Sequence, residues 1–154
     1  MGWWSTTIMG GDTPLDFKSE FYGVIKMDQF KDKGVKVKKA FEQAQNRFIS
    51  GEIDKIMNSW GCGKPDESFY KDYKSIGFQV LAVLMMENGC ELNPKLKQMI
   101  LEWIPQDSWT QEDNERKKNV DDLLNKVNNY NNKVTVVKDE GLFEVLAKAL
   151  RPEN

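Results

Sequence analysis

Apolar residues recur every three or four positions along most of the chain, and this period is that of a helix with one buried face. Asp12-Thr13-Pro14 reads as a helix start, a capping side chain followed by a proline in the first turn. Leu15, Phe17, Phe21, Tyr22 and Ile25 then supply the apolar side. A turn at Asp32-Lys33-Gly34 leads to a second helix with Val37, Ala40, Phe41, Ala44 and Phe48 on one face. Gly51 interrupts, and Ile53, Ile56, Met57 and Trp60 predict a short third helix. Gly61-Cys62-Gly63-Lys64-Pro65 is a loop by composition.

The pattern changes from about Asp66 to Asn88. Phe69, Tyr73, Ile76, Val80, Val83, Leu84 and Glu87 share one side, and Phe78, Leu81 and Met85 cover another. A helix apolar on most of its circumference is buried on most of it, so this segment is the expected centre of the core. Asn88-Gly89 ends it and Asn93-Pro94 opens the next, with Leu96, Met99, Ile100 and Trp103 as its stripe and Pro105 as its stop. A long amphipathic helix is predicted from Thr110 to about Tyr130, and a last short one carries Leu142, Val145, Leu146 and Leu150. Between them, Val134-Thr135-Val136-Val137 is β-branched but solitary, and an extended connection is expected rather than a strand. The sum is an all-α fold, an irregular bundle of six to seven helices with an ordered N-terminal loop. No repeat, linker or low-complexity stretch divides the chain, so residues 1–154 form a single helical domain.

Composition fits this reading and narrows the function. With 40% apolar and 30% charged residues, the 154-residue chain has the balance of a globular domain with one core. The 22 basic and 24 acidic side chains leave a net charge of −2, without the basic field that nucleic-acid binding needs. The basic run at Lys31, Lys33, Lys36, Lys38 and Lys39 reads as a solvated helix start. The longest apolar stretch, Val80 to Met86, is far short of the ~18 residues of a membrane span, and Met1 to Ser5 lacks a secretory pattern. A cytoplasmic protein, off the membrane and not bound to nucleic acid, is expected. Cys62 and Cys90 are read as two buried thiols of a reducing compartment, with a bridge between them left open.

Chemistry is scarce. The chain has no histidine, which excludes Ser-His-Asp and Cys-His arrangements and the common zinc sites. Gly61-Cys62-Gly63-Lys64 lacks the spacing and the Ser or Thr of a phosphate loop. Lys64 is a candidate for lowering the Cys62 thiol pKa, without a histidine to complete a nucleophile. Asp107, Glu112, Asp113 and Glu115 gather around Trp109, where helix capping explains them better than metal binding. In the N-terminal loop, Trp3, Trp4, Ser5 and Thr6 precede Gly10-Gly11-Asp12 and a helix start. Aromatic faces beside hydroxyls suit a planar polar ligand, although anchoring of the loop on the core explains the tryptophans better.

The opening Met1-Gly2-x-Trp4-Ser5 with Gly11-Asp12-x-x-Leu15-Asp16-Phe17 resembles that of the uncharacterised DUF4259-type family. Asp107-Ser108-Trp109 with Glu115-Arg116, Leu123 and Tyr130 is similar to a second block of that family. Together these blocks cover about a quarter of the chain, which departs from the pattern at Trp3, Thr7 and Phe17 and is poor in alanine. Small uncharacterised proteins of tailed phages look similar too. The resemblance implies no activity and no cofactor. It implies that Trp4, Asp12, Asp16, Trp109 and Arg116 belong to one structural or functional unit. The expectation is a non-enzymatic binding or regulatory protein. Its ligand site would use Trp3, Trp4, Ser5, Thr6, Asp12, Asp16, Trp109 and Arg116. Its partner would be another protein, of the host in the phage case, or a small polar ligand such as a nucleotide signal. A homo-oligomer is compatible with the outer face of Val120–Tyr130. The alternative is a metal-dependent hydrolase using Asp12, Asp16, Asp107, Glu112 or Asp113.

Overall fold

The most apolar segment lies at the middle of the molecule. In the computed structural model, which describes residues 3–138, six α-helices follow one another: α1 (Asp12–Val24), α2 (Val35–Ile49), α3 (Glu52–Ser59), α4 (Ser68–Glu87), α5 (Pro94–Trp103) and α6 (Asn114–Asn128). Two 3-10 turns, Ile104–Gln106 and Ser108–Gln111, join α5 to α6. The chain is an all-α bundle. Helix α4 touches α1, α3, α5, α6 and the first 3-10 turn, and it is buried all round from Ser75 to Met86. The segment predicted as the final helix, Leu142 to Leu150, lies outside the described residues.

Close packing on α4 depends on Gly77. A Cβ there would stand 2.9 Å from Ile53 Cγ2 and 3.0 Å from Phe17 Cε1, so the missing side chain lets α1 and α3 approach together. Phe17, Phe21 and Phe48 then run as an aromatic chain from α1 to α2, with Tyr22 edge-on to Phe41 beside it. Helix α2 is also tied to the connection before α5. Gln45 donates to the Glu91 carbonyl (2.9 Å) and accepts from Asn93 N–H (2.7 Å). Asn93 caps α5 by accepting from Lys95 N–H. Beyond α6, residues 133–135 lie against the end of α4, with Thr135 N–H donating to the Met86 carbonyl. No strand forms there.

Four details add to the sequence pattern or depart from it. Gly11, not Asp12, occupies the N-cap of α1, and Asp12 becomes the first helical residue, where its charge suits the helix N-terminus. Pro105 does stop α5, which ends at Trp103, but the chain runs on at once into the 3-10 turn that holds the proline, where its missing N–H costs nothing. The helix predicted from Thr110 begins only at Asn114, because Asp113 caps it by accepting from Arg116 N–H. Finally, Leu15 and Phe69 fall on apolar faces by spacing but are exposed. In the first turn of α4 Tyr70 is buried, its hydroxyl donating to Asp54 of α3 (2.7 Å), while Phe69 beside it projects into solvent.

Both cysteines are free and buried. Burial pushes the Cys62 thiol up, so Lys64 does not activate it, and Cys90 is raised to about 12, by burial first and by Glu42 next. Lys36 pairs with Asp32 at 2.6 Å on the solvated start of α2, as a surface basic run should. Among the described residues no helix is long and apolar enough to cross a membrane.

Candidate binding groove

A guanidinium deep inside a helical bundle demands partners for five N–H donors. Arg116, in the first turn of α6, is fully buried and has all five. Nε donates to Asp107 Oδ2 (3.0 Å), and Nη2 donates to the same oxygen (2.8 Å) and to Gln79 Oε1 (2.9 Å). Nη1 donates to the carbonyls of Thr6 (3.1 Å) and Thr7 (3.0 Å). Burial draws the Arg116 pKa down, and the charge and hydrogen bonds of Asp107 oppose that shift. Gln79 and Ser75 complete the network through Asp107 and the Ile104 carbonyl. Among the described residues no buried side-chain polar atom is left unpaired.

The same guanidinium lies 4.8 Å from the ring of Trp3 and 4.8 Å from that of Trp109, and the two indoles meet edge to face at 5.0 Å. One buried cation thus joins the N-terminal loop, α4, the Asp107 connection and α6. The loop itself closes by a bridge between Trp3 and Gly11 and by Trp4 and Ser5 N–H groups donating to the Gly10 carbonyl. Gly10 has no room for a side chain, since a Cβ would run into Ser5 Oγ and lie 2.7 Å from Thr7 Oγ1.

This assembly forms one wall of a surface groove. Its first depression, of about 330 Å³, is lined by Trp3, Trp109, Ser108, Asp107, Thr13 and the Phe69, Asp72, Tyr73 and Ile76 face of α4. A second, of about 380 Å³, continues past Thr13, Phe69 and Tyr73 to Asp16, Trp60, Gly61 and Cys62. The three shared residues make the two depressions adjoin. Phe69 and Tyr73 pack ring on ring at 4.6 Å, yet Phe69 remains 54% exposed. Asp72 accepts from both Ser108 N–H (3.0 Å) and Ser108 Oγ–H (2.7 Å), which fixes the Trp109 turn on α4.

Of the residues singled out in the sequence, Trp3, Trp109 and Arg116 converge directly, Trp3 and Trp109 as lining and Arg116 as the clamp behind them. Asp16 lines the second depression. Ser5 and Thr6 shape the loop: Ser5 Oγ shares a hydrogen bond with Thr7 Oγ1, and Thr6 receives Arg116 and Asn119. Trp4 is half-buried and Asp12 exposed, and neither lines the groove. Phe69, Asp72, Tyr73 and Trp60 were not singled out. The helical spacing of Phe69, Tyr73 and Trp60 reads as core, Asp72 carries no signal of its own, and only the folded structure shows that they border an open groove.

Of the four acids around Trp109, Asp107 and Asp113 serve structure, while Glu112 and Glu115 are exposed. Asp107 faces Arg116 and caps the Trp109 turn, and Asp113 caps α6. Among the described residues no three Cys, Asp or Glu side chains gather as a metal site would require. Comparison with known proteins finds no match: no family model, no curated protein and no solved structure is significantly similar to the chain.

Proposed function

We propose that the chain is a non-catalytic binding protein that receives a segment of a protein partner along the aromatic groove. The observation that carries this reading is the placement of its largest rings. All five tryptophans are half-buried and none lies in the core, which is built instead from Phe, Ile, Leu, Val and Met. Three of the five, with Phe69 and Tyr73, line one continuous groove. Exposed aromatic anchors set in a shallow, rigid channel are what peptide and protein recognition uses.

A nucleotide signal is the weaker ligand, because no Lys or Arg lines either depression to meet a phosphate. The alternative, a metal-dependent hydrolase using Asp12, Asp16, Asp107, Glu112 or Asp113, has less support, since Asp107 and Asp113 are engaged with Arg116 and in capping and no three Cys, Asp or Glu side chains gather among the described residues.

Selection of short peptides from a random displayed library tests the proposal, run against the native protein and against Phe69→Ala. Peptides enriched on the native protein that lose about tenfold or more in affinity for Phe69→Ala support it. Enrichment of nothing, or of peptides indifferent to Phe69, would overturn it.

A further inference from the structure

Charge decides what kind of segment fits. The ionisable groups that line the two depressions are Asp16, Asp72, Asp107, Tyr73 and Cys62, with no basic residue among them. Asp107 is neutralised by Arg116 at 2.8 Å. Among the described residues Asp72 is held only by the hydroxyl and amide of Ser108, which leave its negative charge in place. Asp16 has no ion pair among the described residues and is exposed on α1. One anion therefore stands in each depression, beside aromatic rings. Electron-rich ring faces attract cations, and carboxylates nearby reinforce them. Lys74, the basic residue nearest in sequence to Tyr73, is turned away, bound to Asp54 (3.1 Å) and lying over Trp103 (4.2 Å).

We infer that the partner segment is basic: an extended peptide whose Lys or Arg side chains alternate with apolar ones, one cation reaching Asp72 and another Asp16. The inference rests on the groove reading above and adds the sign of the charge. The two adjoining depressions, with Thr13, Phe69 and Tyr73 between them, suit neighbouring side chains of one extended strand. A carboxylate- or phosphate-rich segment would meet repulsion in both.

Three fluorescent octapeptides, equal in aromatic content and carrying arginine, glutamine or glutamate at the remaining positions, separate the outcomes by anisotropy. The arginine peptide is expected to bind native protein most tightly and to weaken on raising salt from 50 to 300 mM. It should lose about two- to fivefold with Asp16→Asn and again with Asp72→Asn, which keeps an oxygen for Ser108. It should also lose about tenfold or more with Phe69→Ala. Equal or tighter binding of the glutamine or glutamate peptide, still dependent on Phe69, would overturn the charge inference and leave the groove reading standing. Failure of all three peptides to respond to Phe69→Ala would sink both. A concentration-dependent dimer of the native protein, abolished by Phe69→Ala, would assign the groove to a second copy and also overturn the inference.

Discussion

Two of the five guanidinium donors of Arg116 converge on a single oxygen of Asp107, at 3.0 and 2.8 Å, with both side chains shut away from solvent. A buried pair of this kind adds little net stability over an apolar pair of the same shape, but removing one partner strands the other. Arg116→Met keeps volume but strands the buried Asp107 carboxylate without its counter-charge and takes one donor each from the Thr6 and Thr7 carbonyls, which keep Asn119 and Gly10. It is expected to cost about 3–5 kcal/mol in urea unfolding. The same variant frees Trp3 and Trp109, so native-state tryptophan emission shifts to the red. Full stability with unshifted emission would contradict the clamp.

Gly10 and Gly77, where an added Cβ would come closer than 3.0 Å to a neighbour, respond differently to alanine. At Gly77 helix propensity favours alanine by about 1 kcal/mol, but the new Cβ meets a branched Ile53 methyl at 2.9 Å and a Phe17 ring carbon at 3.0 Å. Overpacking costs about 1–3 kcal/mol, so the net expectation is destabilisation. At Gly10 the obstruction is the Ser5 and Thr7 hydroxyl pair, inside the loop alone. Gly10→Ala should loosen that loop, raising amide exchange at Trp4 and Ser5 while core amides stay protected. Uniform loss of protection in Gly10→Ala would mean that the loop and core unfold together.

Alkali should destabilise the fold through its buried thiol and phenols. Cys90, Tyr70 and Tyr130 are each pushed up to about 12, in every case by burial first, with the Asp54 hydrogen bond next at Tyr70 and the charges of Cys90 and Glu42 at Tyr130. Unfolded, the thiol releases its proton near 9 and the phenols near 10. The unfolded state thus binds fewer protons as pH rises through this range, and stability falls. The contribution is complete below pH 9 and lost between about 9 and 12. Urea midpoints from pH 7 to 11 check this, and Cys90→Ala should remove the earliest part of the decline. An unchanged slope in that variant would acquit the thiol.

Helix positions were legible because burial on one side writes its period into the chain, and α4 was legible as the centre because its period vanishes into all-round apolarity. The clamp was half-legible. Trp109 and Arg116 stood close in sequence, but the carbonyls of Thr6 and Thr7 lie more than a hundred residues away, and backbone acceptors carry no sequence signal. Asp12 was misread as a cap because Gly11, lacking a side chain, gives no sign that it holds that place. The groove was hidden for another reason. Phe69 and Tyr73 fall on the same helical face as buried Ile76 and Val80, and nothing in spacing tells a core ring from one left open.

That ambiguity gives the last prediction. Phe17 and Phe69 are the same residue in the same secondary structure, fully buried in one case and 54% exposed in the other. Phe17→Ala removes a ring packed against Phe21 and Trp60 and should cost about 3–5 kcal/mol. Phe69→Ala removes a ring whose one aromatic contact is with Tyr73, and should cost less than about 1 kcal/mol. A ring that contributes so little to folding while exposing apolar surface to water is what the proposed binding role requires of it. Parallel urea titrations of the two variants decide the matter. A loss for Phe69→Ala as large as that for Phe17→Ala would make the ring a structural support, and the groove would lose its principal anchor.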